Sequence, residues 1–118
     1  MQNEKIGVLI GNVFGGVDTT TEAFSKINDP ATGPERMPPL TAATMISNEG
    51  AANVCIQYGI KGFGWALNTA CASGSDALGL AMDMIRSGRV DMCVAGGTEA
   101  TVEEFTVGSF VKLQALSR

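Results

Sequence analysis

The stretch LNTACASGSDALGLAMDMIRSGRVDMCVAGG, residues 67–97, constrains the fold more than any other part of the chain. A β-like segment ends in Thr69-Ala70-Cys71, small residues follow, and a helical pattern begins. Leu78, Ala81, Met82 and Ile85 recur at the spacing of one helix face. Gly88 stands where a helix end favours a residue tolerant of positive φ. Residues 91–95, Asp-Met-Cys-Val-Ala, read as a short buried strand closed by Gly96-Gly97. The unit is strand, turn, helix, strand, with Cys71 at the turn.

A cysteine at that turn has chemical meaning. The free backbone N–H groups of the helix's first turn stabilise negative charge on a sulfur placed before them. They can equally receive a developing oxyanion. Ala70, Ala72, Ser73 and Gly74 are small enough to admit a substrate carbonyl. The arrangement parallels the serine elbow of hydrolases, without its N-terminal glycine. The alternative is an ordinary buried cysteine packed as a small hydrophobe.

The wording of the segment adds to this. Thr69-Ala70-Cys71-Ala72-Ser73-Gly74, followed by Ala95-Gly96-Gly97-Thr98-Glu99-Ala100, resembles the nucleophile region of the β-ketoacyl-acyl carrier protein synthases, condensing enzymes of the thiolase superfamily. The resemblance continues in Ile6-Gly7 through Phe14-Gly15-Gly16, in Gln57-Tyr58-Gly59-Ile60-Lys61-Gly62, in Gly108-Ser109-Phe110 and in Gln114-Ala115-Leu116-Ser117. Phe63 follows Gly62 where the family usually has proline.

The resemblance implies an α/β, thiolase-like layered fold, of which the chain would be one incomplete half. Cys71 would be the acyl-accepting nucleophile, and its own backbone N–H one oxyanion donor. Phe14, Ala70 and Phe110 would line the acyl pocket. The reaction implied is acyl transfer to Cys71, then decarboxylative condensation with malonyl-carrier protein in fatty acid or polyketide synthesis. The implied partners are acyl carrier protein, its acyl and malonyl thioesters, and a second copy of the chain paired through residues 62–68. Arg36, in a proline-rich loop, is a weak carrier-docking candidate; Glu35 beside it departs from the basic character of that region. No cofactor or metal is implied. In the family two histidines, a lysine and a glycine-rich loop complete the site from a second half, and this chain contains no histidine. It therefore reads as the acylation half-site, a fragment of the N-terminal half, incapable of condensation alone. A non-catalytic module that dimerises or binds carrier protein through the same fold is the alternative.

Composition excludes several other classes. The 118 residues allow one domain at most. With 45% hydrophobic and 17% charged residues the chain is globular and rather apolar. A net charge of −4 without a basic cluster argues against nucleic acid. No apolar run approaches a membrane span, and Met1-Gln2-Asn3-Glu4-Lys5 opens a poor signal peptide. Cys55, Cys71 and Cys93 lack CxxC spacing, so neither zinc nor a disulfide framework is expected and a reducing cytoplasm is the natural setting.

Elsewhere the pattern predicts strands near residues 5–13, 64–70 and 92–96, and helices near 20–27, 41–58 and 73–87. Asp18 and Thr41 read as N-caps. The glycines at 7, 11, 15 and 16 spell no nucleotide motif and suggest close backbone packing. Glu103-Glu104 reads as a solvated face, and residues 105–116 as amphipathic but weakly helical. Glu99 is a tempting acid for which a structural role is the better reading.

Overall fold

The central strand β1, Ile6–Gly11, is buried along nearly its whole length because it is covered on both faces. In the computed structural model, which describes residues 3–31 and 33–117, it lies between β2, Gly64–Leu67, and β3, Met92–Gly97. The strand order is β2-β1-β3 and both pairings are parallel. Parallel strands need covered faces, which explains an apolar sequence without strict alternation. Among the described residues five α-helices accompany them: α1, Val17–Asn28; α2, Thr41–Thr44; α3, Glu49–Tyr58; α4, Ser73–Arg86; and α5, Glu104–Lys112.

The described residues fall into two compact units. One comprises the chain up to Gly15 together with Ile46–Glu99; the other comprises Gly16–Met45 and the chain from Ala100. The first unit holds the sheet, α3 and α4. Leu9 packs with Ala77 and Ala81 of α4, and Phe63, Leu67, Leu80, Cys93 and Ala95 pack around them. On the opposite face Gly64, level with Val8, approaches Cys55 and Ala51 of α3. The second unit holds α1, α2 and α5, with Ala23, Thr41 and Thr106 buried.

Two close approaches fix α4 against the sheet. A Cβ on Gly11 would lie 2.3 Å from the Ser73 carbonyl group, and one on Gly97 would lie 3.0 Å from the Gly74 Cα. Only bare backbone permits this contact, and of the glycines read as packing residues Gly7, against the Phe63 ring, Gly11 and Gly16, against the Thr44 carbonyl, are so placed. The same closeness decides which face of α4 is inward. Ser73, Ala77 and Ala81 are buried, whereas Leu78, Met82 and Ile85 are 57%, 46% and 43% exposed. The large apolar stripe is not the core face: the close glycine contacts turn Ser73, Ala77 and Ala81 inward, with Leu80 packed beside them.

Other departures have local causes. The helix expected over 41–58 is two helices. Ser47 and Asn48, whose side chains compete with helical backbone bonds, lie in the break, and Gly50 follows it. The N-caps are Gly16 and Leu40, not Asp18 and Thr41, so both predicted caps lie inside their helices. Asp18 instead accepts from the Thr19 amide at 2.8 Å. Thr41 donates its hydroxyl to the Pro38 carbonyl at 2.7 Å. α5 forms despite its β-branched residues because Glu103 caps it, accepting the amides of Thr106 at 2.8 Å and Phe105 at 3.2 Å. Gly59 and Gly88, at φ +62° and +73°, end α3 and α4 as expected.

Candidate active site

All three strands point their carboxyl ends to one side of the first unit, the side where parallel α/β sheets place their chemistry. After β1 comes Asn12-Val13-Phe14, after β2 comes Asn68-Thr69-Ala70-Cys71, and after β3 comes Thr98-Glu99.

The turn carrying Cys71 is held by its own side chains. The Thr69 amide donates to Ser73 Oγ at 2.9 Å, and that buried hydroxyl donates to the Ala70 carbonyl at 2.6 Å. The Thr69 hydroxyl donates to the Asp76 carboxylate at 2.6 Å. The amides of Ala72 and Ser73 close onto the carbonyls of Thr69 and Ala70. Ala70 sits at φ +53°, a left-handed conformation uncommon for alanine. Strain of this kind persists only where the surroundings enforce it. Cys71 itself is exposed, one residue before the Ala72 cap of α4. The amides of Ala70, Ala72 and Ser73 on either side of it are all engaged in the turn. The other two thiols differ: Cys55 and Cys93 are partly buried, and loss of hydration pushes both up from the ordinary cysteine range.

The loop after β1 is equally restrained. Glu99 Oε2 accepts the Val13 amide at 2.9 Å and approaches the Phe14 amide at 3.4 Å. Asn12 Nδ2 donates to the Phe14 carbonyl at 2.9 Å, and Asn68 Nδ2 to the Val13 carbonyl at 3.3 Å. The Phe14 side chain remains 46% exposed.

A family model described as the β-ketoacyl synthase N-terminal domain matches residues 1–118. The chain belongs to that family. It is 34% identical over 114 residues to 3-oxoacyl-[acyl-carrier-protein] synthase 2 of Staphylococcus aureus, covering 97% of this chain and 28% of that protein. It is 34% identical over its whole length to the chloroplastic 3-oxoacyl-[acyl-carrier-protein] synthase I of Arabidopsis thaliana, of which it spans 24%. Among solved structures, a type II PKS acyl-carrier protein in complex with its ketosynthase bound to the hexaketide superposes with a TM-score of 0.89 at 30% identity, over 99% of this chain and 29% of that one. A β-ketoacyl synthase from Burkholderia phymatum STM815 superposes at 0.79 with 28% identity, over 98% of this chain and 28% of that one. The chain thus spans about a quarter of the relatives it matches, and its mixed α/β architecture is part of a ketosynthase fold.

Within this chain, the first unit places Phe14, Ala70 and Cys71 at the carboxyl ends of β1 and β2. Phe110, 42% exposed on α5, and Arg36, exposed in the 3-10 turn Pro34–Arg36, belong to the second unit. The sequence reading passed over Asn12 and Asn68. Half of the Asn68 role was within its reach: an asparagine accepting the amide two residues on is an Asx turn, and here Asn68 Oδ1 accepts the Ala70 amide at 3.1 Å.

Proposed function

We propose that this chain carries the acylation half-site of a 3-oxoacyl-[acyl-carrier-protein] synthase. The supporting observation is Cys71: an exposed thiol before the first turn of α4, preceded by the strained Ala70. In the proposed step the Cys71 sulfur attacks the carbonyl carbon of an acyl thioester. The carbonyl oxygen gains the electron pair and faces the Cys71 N–H. Collapse of that intermediate breaks the bond to the carrier's sulfur, which leaves as thiolate and takes a proton. A malonyl thioester then loses carbon dioxide, and the resulting carbanion attacks the acyl carbon. The bond from that carbon to Cys71 breaks, and the thiolate returns. The chain contains no histidine, so any imidazole that stabilises the carbanion comes from outside these residues.

In this reading Phe14 and Ala70 line the acyl pocket from the first unit. Phe110 enters as a channel-lining residue and Arg36 as a carrier-docking residue of the second. Acyl carrier protein and its thioesters are the partners. A second copy pairs along β2, whose outer edge carries no strand among the described residues, since unpaired edges recruit further strands. The setting is a reducing cytoplasm that keeps Cys71 a thiol. Among the described residues no helix is long and apolar enough to cross a membrane.

The test is transfer of a radiolabelled acyl group from acyl-carrier protein to the polypeptide. Label that is lost with Cys71→Ala supports the reading. Label that persists in that variant refutes it.

A further inference from the structure

Every backbone polar group of Val13 and Phe14 meets a side chain. Glu99 Oε2 takes both amides, at 2.9 and 3.4 Å. Asn68 Nδ2 holds the Val13 carbonyl at 3.3 Å, and Asn12 Nδ2 the Phe14 carbonyl at 2.9 Å. A loop fastened only by side chains takes its position from them and not from a sheet or helix ladder. Glu99 follows β3, Asn68 follows β2 and Asn12 follows β1, so the loop is tied to all three strands. Asn68 does more: its Oδ1 accepts the Ala70 amide at 3.1 Å. One carboxamide therefore bridges the backbone ahead of Phe14 and the strained residue ahead of Cys71.

We propose that Glu99 and Asn68 are positioning residues for the acyl pocket. Glu99 fixes Phe14 through its backbone, and Asn68 couples the placement of Phe14 to that of Cys71. The consequence is a sharp limit on acyl length. A phenylalanine whose backbone cannot shift blocks a longer chain, whereas a loosened one swings aside. This rests on the assignment of Phe14 to the acyl pocket. Glu99 acts without touching substrate, as an acceptor for two amides, so glutamine, which keeps an acceptor oxygen, should replace it and alanine should not.

The experiment uses the protein carrying this chain and measures kcat/KM for acylation of Cys71 by a series of saturated acyl thioesters of increasing length. The readout is the ratio between the longest chain accepted and the next longer one. One methylene in an apolar pocket is worth about tenfold or more, so Glu99→Ala is expected to reduce the discrimination by about that factor, through the longer chain's value. Glu99→Gln should restore it. Asn68→Asp keeps an acceptor for the Ala70 amide but loses the donor to Val13, and should blunt length discrimination alone. Asn68→Ala should also slow acylation by short chains. Phe14→Gly separates the two ideas. If it leaves the length limit unmoved, the pocket assignment fails. If it moves the limit while Glu99→Ala and Asn68→Asp do not, the positioning role is overturned. Should Glu99→Ala fail to fold, Asn68→Asp carries the same decision.

Discussion

Asn68 Oδ1 accepts the amide of Ala70 at 3.1 Å, and Ala70 stands at φ +53°. The Asx turn and the left-handed alanine form one device: the side-chain acceptor holds the backbone where steric preference would not leave it. With Ser73 fastening the same turn from the helix side, the approach to Cys71 is set from both ends.

Ala70 is therefore a site where strain can be exchanged for freedom. Glycine adopts positive φ without the Cβ clash, which costs an L-residue about 1–2 kcal/mol, though it also gains unfolded-state entropy. Ala70→Gly is expected to stabilise the fold by about 0.5–1 kcal/mol in urea denaturation. The β-branched Ala70→Val should destabilise it by at least as much. Acylation at Cys71 should slow in the glycine variant, since the turn loses its enforced geometry.

Gly11 gives the opposite result. A methyl group there would meet the Ser73 carbonyl group at 2.3 Å, and that neighbour is backbone, with no flexible side chain to yield. Gly11→Ala is expected to cost about 1–3 kcal/mol or more and to push the first turn of α4 away from β1. Equilibrium unfolding measures the first effect, and the rate of Cys71 acylation reports the second. Gly79, which faces open space, is the control: Gly79→Ala should be stabilising by about 1 kcal/mol through helix propensity.

These two sites show where sequence reasoning reaches and where it stops. Gly88, the existence of the β3 strand and the turn at Cys71 were legible because their signals are local. The exposure of β3 was not: among the described residues it is an edge strand, and its Met92 and Val94 are exposed. Nor was the inward face of α4. Leu78, Met82 and Ile85 are the more hydrophobic stripe, yet Ala77 and Ala81 face Leu9 because Gly11 and Gly97 bring the backbones close. That constraint lies outside the helix. The same holds for Glu99, whose acceptor role depends on β3 ending beside the loop after β1. The break between α2 and α3 was local but subtle, carried by Ser47 and Asn48.

The cap of α5 has a pH signature. Loss of hydration raises the Glu103 carboxyl, but the Thr106 amide and hydroxyl and the Phe105 amide outweigh it, against a further upward push from Asp18, and hold the group below the usual carboxylate range. A depressed value means that the folded state releases its proton more readily than the unfolded one. The contribution is thus complete above the unfolded Glu value and is lost as pH falls through the lower folded value. Fraying of α5 on acidification is the expected outcome, seen as faster amide exchange at Thr106 and Val107 once corrected for intrinsic pH dependence. Glu103→Gln should flatten that profile.

The three thiols should separate in reactivity. Cys71 is exposed, whereas Cys55 and Cys93 are partly buried and raised by loss of hydration. Each unit of such a rise lowers the thiolate fraction about tenfold near neutral pH. Timed alkylation with iodoacetamide and peptide mapping should find Cys71 modified first. A fast phase that survives Cys71→Ser would contradict the assignment.

The last expectation concerns residues 1–118 by themselves. Condensation makes two demands. An acyl group must pass to a thiolate, and a malonyl thioester must lose carbon dioxide while charge builds on its carbonyl. In the proposed reading Cys71 and its amide serve the first, because an exposed sulfur at a helix start is placed for attack and the N–H beside it for the oxyanion. The second needs further donors around the malonyl carbonyl, and the chain has no imidazole to supply them. Purified 1–118 polypeptide, incubated with acyl- and malonyl-carrier protein, is expected to yield no 3-oxoacyl product by mass spectrometry, while slow self-acylation at Cys71 persists. Product formation that vanishes with Cys71→Ala would show that these residues satisfy both demands, and the division of labour argued for the synthase would fail.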